Sequence, residues 1–161
     1  MIQLKLLFIL SYLQDWIIAI VYGIANYNIT KLQRVQNAAA RLIFKKSKYN
    51  HITQDLINLH WLPVKYRIDY KLLLVTFNAL HGMAPEYICD LIKPYVPVRQ
   101  GLRSHGHALL EIPRSKLVTC GDRAFRGAVP LLWNSLPNVL RYIDCITLFK
   151  STLKTHLINK A

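Results

Sequence analysis

The stretch PVKYRIDYKLLLVTFNALH, Pro63–His81, decides the fold. At 100° per residue its apolar side chains fall into two arcs, Tyr66, Tyr70, Leu73 and Phe77 on one and Ile68, Leu72, Val75 and Ala79 on the other. One polar stripe between them carries Arg67, Lys71 and Asn78, and a narrower one carries Lys65, Asp69 and Thr76. Two separated apolar faces mark a helix packed between neighbours, so this segment predicts the centre of a helical domain. Pro63 suits the first helical position and Gly82 the residue just past the end, with Pro85 opening the next turn.

Toward the N-terminus, KLQRVQNAAARLIF (Lys31–Phe44) predicts a second helix. Leu32, Val35, Ala39, Leu42 and Ile43 fall on one stripe about 100° wide, the expected buried face. Arg34, Arg41, Lys45 and Lys48 gather on the opposite side, within a tract from Lys31 to Lys48 that holds six cations and no acid. Such a helix suits a scaffold that leans on a polyanion, with a merely solvated basic helix as the plain alternative. Thr53–Leu59 is a short segment after a break at Tyr49–His51. Met1–Ala25 is strongly apolar, but Gln14 and Asp15 interrupt it, so it reads as a helix over 3–24 rather than an export signal or membrane span. Asn26 and Asn28 make the turn that follows.

Downstream the texture changes. Pro94, Pro97, Gly101, Gly106 and Pro113 punctuate a segment that cannot stay helical. Ala108–Ile112 and Lys116–Thr119 suit a hairpin around Pro113–Ser115. Helix resumes near Asp122 and runs through Phe125 to Trp133 with a kink or restart at Pro130, and a last helix opens near Asp144 as N-cap. That helix sets Ile146, Phe149, Leu153 and Leu157 on one stripe. Trp61 and Trp133 read as anchors that pin turns to the core. The expected fold is mainly α with an irregular or short β-hairpin segment near 95–120. Its parts are an apolar N-terminal helix at 1–25, a helical core at 26–94, an irregular basic segment at 95–121 and C-terminal helices at 122–161.

A hydrophobic fraction of 53% argues against disorder, and a net charge of +13 asks for an anionic partner, nucleic acid or a membrane surface. A polymerase needs carboxylates close enough to hold two metal ions, and the eight acids here are scattered. No YxDD, HExxH or GxSxG motif occurs, and His105 and His107 lack a third ligand. No catalytic residue, metal or cofactor is expected. Cys89, Cys120 and Cys145 make neither a disulfide framework nor a zinc knuckle and read as reduced thiols, in the nucleus or cytoplasm. Between Arg99 and Arg126 six cations face two acids, and the loop-borne Arg99, Arg103, Arg114, Lys116, Arg123 and Arg126 join the cationic face as candidate phosphate contacts.

Four blocks carry a family resemblance: YGIANYNITKLQRVQNAAARLIF, LHWLPVKYRIDYKLLLVTFNALHGMAPEYICDLI, GDRAFRGAVPLLWNSLP and FKSTLKTHL. In order and spacing they resemble the polyprotein C-terminus of LINE-type (non-LTR) retrotransposons, the jockey-like group and its relatives, over roughly Tyr22 to Leu157. The resemblance implies a fragment of a reverse transcriptase, an RNA-directed DNA polymerase of a transposable element, lying downstream of the fingers and palm and lacking the catalytic aspartates. Its implied partners are an RNA or DNA backbone and the missing palm and fingers. The chain departs from the family where Asp15-Trp16-Ile17-Ile18 stands in place of something like DYCN, and residues 1–14 look unlike it. Two rival readings use the same residues: a small basic membrane-associated protein anchored by residues 1–25, or a host-adopted interaction module.

Overall fold

A computed structural model describes residues 26–96, 108–113 and 125–160. Among them the chain is mainly helical, as the composition and periodicity predict: α1 (Asn26–Phe44), α2 (Thr53–Asn58), α3 (Val64–Leu80), α4 (Glu86–Cys89), α5 (Phe125–Asn134), α6 (Asn138–Arg141) and α7 (Ile146–Lys160). The expected helix at 3–24 and the strand at Lys116–Thr119 lie outside the described residues. The chain divides into two units, residues 1–70 with 154–161 and residues 71–153, and the division falls inside α3 and α7.

Helix α3 enters and leaves where Pro63 and Gly82 mark it. The Pro63 carbonyl accepts from Arg67 N–H at 2.9 Å, and Gly82 takes φ +67, the left-handed stop that glycine adopts without strain. Along its C-terminal half the two apolar arcs merge. Thr76, from the narrower polar stripe, is fully buried between them, and it is tolerated because its hydroxyl donates to the Leu72 carbonyl at 2.8 Å.

In the first unit, α1 overturns an expectation. Its docked face is centred on Gln36 and Ala40, while Val35 and Leu42 stand 61% and 78% exposed and Leu32 and Ile43 are exposed as well. The buried face is thus turned by roughly one residue, about 100°, from the apolar stripe. Hydrogen bonding selects it. Gln33 Oε1 accepts from Val64 N–H at 2.8 Å, satisfying a donor of the first turn of α3, and Gln36 Nε2 donates to the Leu62 carbonyl at 2.9 Å. Ala40 then sits against Ile52 and Leu56, with Leu59 and Trp61 packed on the cluster.

Two helix ends in this unit use a left-handed residue that is not glycine. Lys45 (φ 50) follows α1 and His60 (φ 53) follows α2. At each, the next residue bonds back over the last turn, Lys46 N–H to the Arg41 carbonyl at 3.0 Å and Trp61 N–H to the Leu56 carbonyl at 2.8 Å, the Schellman arrangement. The side chain of His60 is exposed. His60→Gly should therefore raise stability by about 0.5–1 kcal/mol, read as a higher urea midpoint at unchanged m. A lowered midpoint would show that the imidazole makes a contact worth more than the strain it relieves.

In the second unit the core is an aromatic series. The Phe77 ring stacks on Phe149 at 4.3 Å between centroids and on His81 at 4.0 Å, and Trp133 lies 6.0 Å from Phe149. Phe149 and Leu153 are buried along this unit's part of α7 as the stripe predicts, and Leu157, in the first unit's part, is buried too. Pro130 sits inside α5, fully buried. Ala108–Ile112 is bridged on the side of Pro94, through Tyr95 N–H to the Leu109 carbonyl and Glu111 N–H to the Lys93 carbonyl, both at 2.9 Å. Asp144 is not the N-cap of α7. The helix starts one residue later than expected, so the Cys145 carbonyl accepts the first helical bond, from Phe149 N–H, and the Asp144 carboxylate stands in solvent.

Candidate nucleic-acid interface

The cations of α1 occupy a third face, between the docked amides and the apolar stripe. Arg34 and Arg41 are seven residues apart, two turns, so they share a phase on the helix about 10 Å apart along its axis. Arg34 is exposed. Lys45 is exposed at the helix end, where its left-handed backbone turns the chain away. Lys48 is exposed in the following turn with its amine 4.9 Å from the Tyr49 ring centre. Among the described residues no ion pair engages Arg34, Lys45 or Lys48.

Arg41 is placed differently from the other three. It is half-buried, and one guanidinium nitrogen lies 3.4 Å from the Asn50 carbonyl, inside the turn that joins α1 to α2. Lys46 is also withdrawn, its amine 2.7 and 2.8 Å from the two oxygens of buried Asp55. Arg126 is exposed on α5, in the second unit. Arg99, Arg103, Arg114, Lys116 and Arg123 lie outside the described residues.

The sequence did not reveal how unevenly the folded chain divides its charge. The described residues of the first unit hold ten cations: Lys31, Arg34, Arg41, Lys45, Lys46, Lys48, Lys65, Arg67, Lys154 and Lys160. They hold two acids, Asp55 and Asp69. In the described residues of the second unit, Lys71, Lys93, Arg126, Arg141 and Lys150 nearly balance Glu86, Asp90, Glu111 and Asp144. Lys154 and Lys160 join the first unit only through the course of α7, which no local charge run signals. Burial raises the Asp69 carboxyl above its ordinary value, against the pull of Lys65 and Lys160.

A pocket of about 280 Å³ opens in the same unit, lined by Gln33, Asn37, Ile52, Leu56, Trp61 and Ile158 among others. No titratable side chain lines it, so it offers an apolar floor and two amides but no acid or base. Among the described residues, no group of three or more His, Cys, Asp or Glu side chains is placed to hold a metal ion. No described helix is long and apolar enough to cross a membrane. Cys145 is exposed at the start of α7, where the Thr147 hydroxyl and then the Leu148 and Thr147 N–H groups hold its thiol below the usual range. Comparison with protein-family models, curated proteins and solved structures finds no match. What the first unit can do chemically is present exposed point charges to an anionic partner.

Proposed function

We propose that this chain is a C-terminal, non-catalytic region of a LINE-type reverse transcriptase, and that its first unit holds the RNA or DNA backbone beside the parent polymerase. The observation that carries the reading is the charge asymmetry: ten cations against Asp55 and Asp69 in one unit, with Arg34, Lys45 and Lys48 exposed and outside any described ion pair. The resemblance of the four sequence blocks supports this choice of parent. An accessory domain that grips phosphates should be helical, basic and free of metal-binding carboxylate pairs.

Fluorescence anisotropy with labelled RNA and DNA oligomers of unrelated sequence, across a series of salt concentrations, tests the proposal. The full chain should bind them about equally. The Arg34→Gln, Lys45→Gln, Lys48→Gln triple variant should flatten the plot of log K against log salt by roughly 0.7–0.9 per lost contact, the counterion-release value for single strands and duplexes. Far-UV circular dichroism should be unchanged, since exposed substitutions usually stay within about 0.5 kcal/mol. Arg41→Gln should leave the slope alone and act on stability instead, through the lost contact with Asn50. A wild-type slope near zero would refute the proposal.

A further inference from the structure

The pocket of about 280 Å³ lies wholly within the first unit, lined from α1, α2, the turn before α3 and the C-terminal part of α7. Sites for drug-sized ligands run to roughly 300–1,000 Å³, so this one suits a single ring system rather than an extended molecule. Ile52, Leu56, Trp61 and Ile158 give it an apolar floor with one aromatic member. Gln33 and Asn37, one turn apart on α1, make its polar end.

A relay of hydrogen bonds fixes which way those two amides point. The Val64 N–H can only donate, so the Gln33 atom it meets at 2.8 Å is the oxygen. The Gln33 nitrogen then faces Asn37 and donates to its oxygen at 2.9 Å. Asn37 is left with an amide nitrogen that no described residue engages, so the polar end offers donors and calls for an acceptor. No charged side chain lines the pocket, and a carboxylate or phosphate inside it would be buried without a counter-charge. A cationic group fits no better, in a unit whose described residues already set ten cations against two acids. What fits is neutral and flat inside, with an acceptor at its edge, and joined to negative charge outside. Exposed Arg34 adjoins Gln33 on α1, and Lys154 stands one turn before Ile158 on α7, so cations flank the lining on two elements.

We propose that the pocket receives one unstacked base of a single-stranded RNA or DNA, an acceptor on its edge meeting the Asn37 amide while its phosphates lie on the cations of the first unit. A nucleotide has the required layout, a neutral planar ring at one end and a phosphate at the other. Every base carries acceptors on its edge and a face that an aromatic can cover, so the pocket tolerates sequence, in keeping with equal binding of unrelated oligomers. Such binding presupposes the backbone grip proposed above and adds to it a preference for single strands.

The experiment compares a fluorescein-labelled thymidine dodecamer with a dodecamer of abasic residues, which carries the same phosphates and no bases. By anisotropy the full chain should bind the thymidine strand roughly tenfold tighter, within what one base stacked on an aromatic contributes. Asn37→Leu, which keeps the size of the side chain and removes the donor, should bring the two affinities together. Its salt slope should equal that of wild type, because the phosphate contacts remain. Should Asn37→Leu lose helical circular dichroism, Asn37→Ala, with the best helix former at the same position, must give the same levelling. Equal binding of the two strands by wild type overturns the proposal while leaving the backbone reading intact. A tenfold preference that survives removal of the Asn37 amide in a folded variant also overturns it, and assigns the base to another surface. Failure of the backbone reading looks different: the wild-type salt slope on the abasic strand is then near zero, and the base pocket falls with it.

Discussion

Trp133→Ala is expected to destabilise the second unit by about 3–5 kcal/mol, the range for deleting a fully buried aromatic. The ring is 1% exposed and lies 6.0 Å from Phe149, so its removal opens a void beside the aromatic series of the core. It also removes a tie. Trp133 Nε1–H donates to the Ala108 carbonyl at 2.9 Å, and Ala108 holds φ 47, a backbone that is strained for a residue with a Cβ. The neighbouring Asn134 clasps Leu110 from both sides, accepting from its N–H and donating to its carbonyl, each at 2.9 Å. Trp133→Phe separates the two contributions. It keeps most of the ring and loses the donor, so its cost should fall near 1–3 kcal/mol, that of a lost hydrogen bond with a carbonyl left unmatched. Urea unfolding followed by circular dichroism measures both. A cost below about 1 kcal/mol for Trp133→Ala would mean that the ring is not a keystone of this core.

The parts of this architecture that could be read in advance are those whose cause is local. Pro63 and Gly82 bracket α3 because φ near −65° and a left-handed φ are properties of single residues. The stripe Phe149, Leu153, Leu157 is buried because in α7 the apolar face is the one turned to the core. The failures have causes lying far away in sequence. α1 docks by Gln33 and Gln36, which find backbone groups of Val64 and Leu62 about thirty residues on, and no apolar periodicity encodes that choice. The C-terminal ends of α1 and α2 fall where the readings Lys31–Phe44 and Thr53–Leu59 put them, but the left-handed backbone just past each end, at Lys45 and His60, is filled by residues that carry no signal for it. The candidate interface was half legible. Arg34, Lys45 and Lys48 stand exposed where helix phase and chain order put them, whereas Arg41 is drawn into the turn by Asn50, a contact made beyond the helix end.

Lys46→Met should cost about 2 kcal/mol, although it alters a surface-reaching residue in a basic tract. Asp55 is buried, and both its oxygens are held by the Lys46 amine. Removing one partner of a buried pair typically costs about 3–5 kcal/mol because a charge is left without compensation. The lysine side chain is 37% exposed, so water reaches the pair and the expected loss is smaller. The first turn of α2, where Asp55 sits, keeps some favourable dipole interaction with the bare carboxylate. Adding Asp55→Leu to Lys46→Met should recover most of the loss, since exchanging a buried pair for apolar groups is often neutral. The same variant separates structure from binding. The charge of Lys46 is already engaged, so Lys46→Met should leave the salt dependence of nucleic-acid binding unchanged, while Lys45→Gln, one residue away, flattens it by roughly 0.7–0.9. If both substitutions flatten it equally, the pair opens when the backbone binds, and Asp55 then becomes the group that the phosphate displaces.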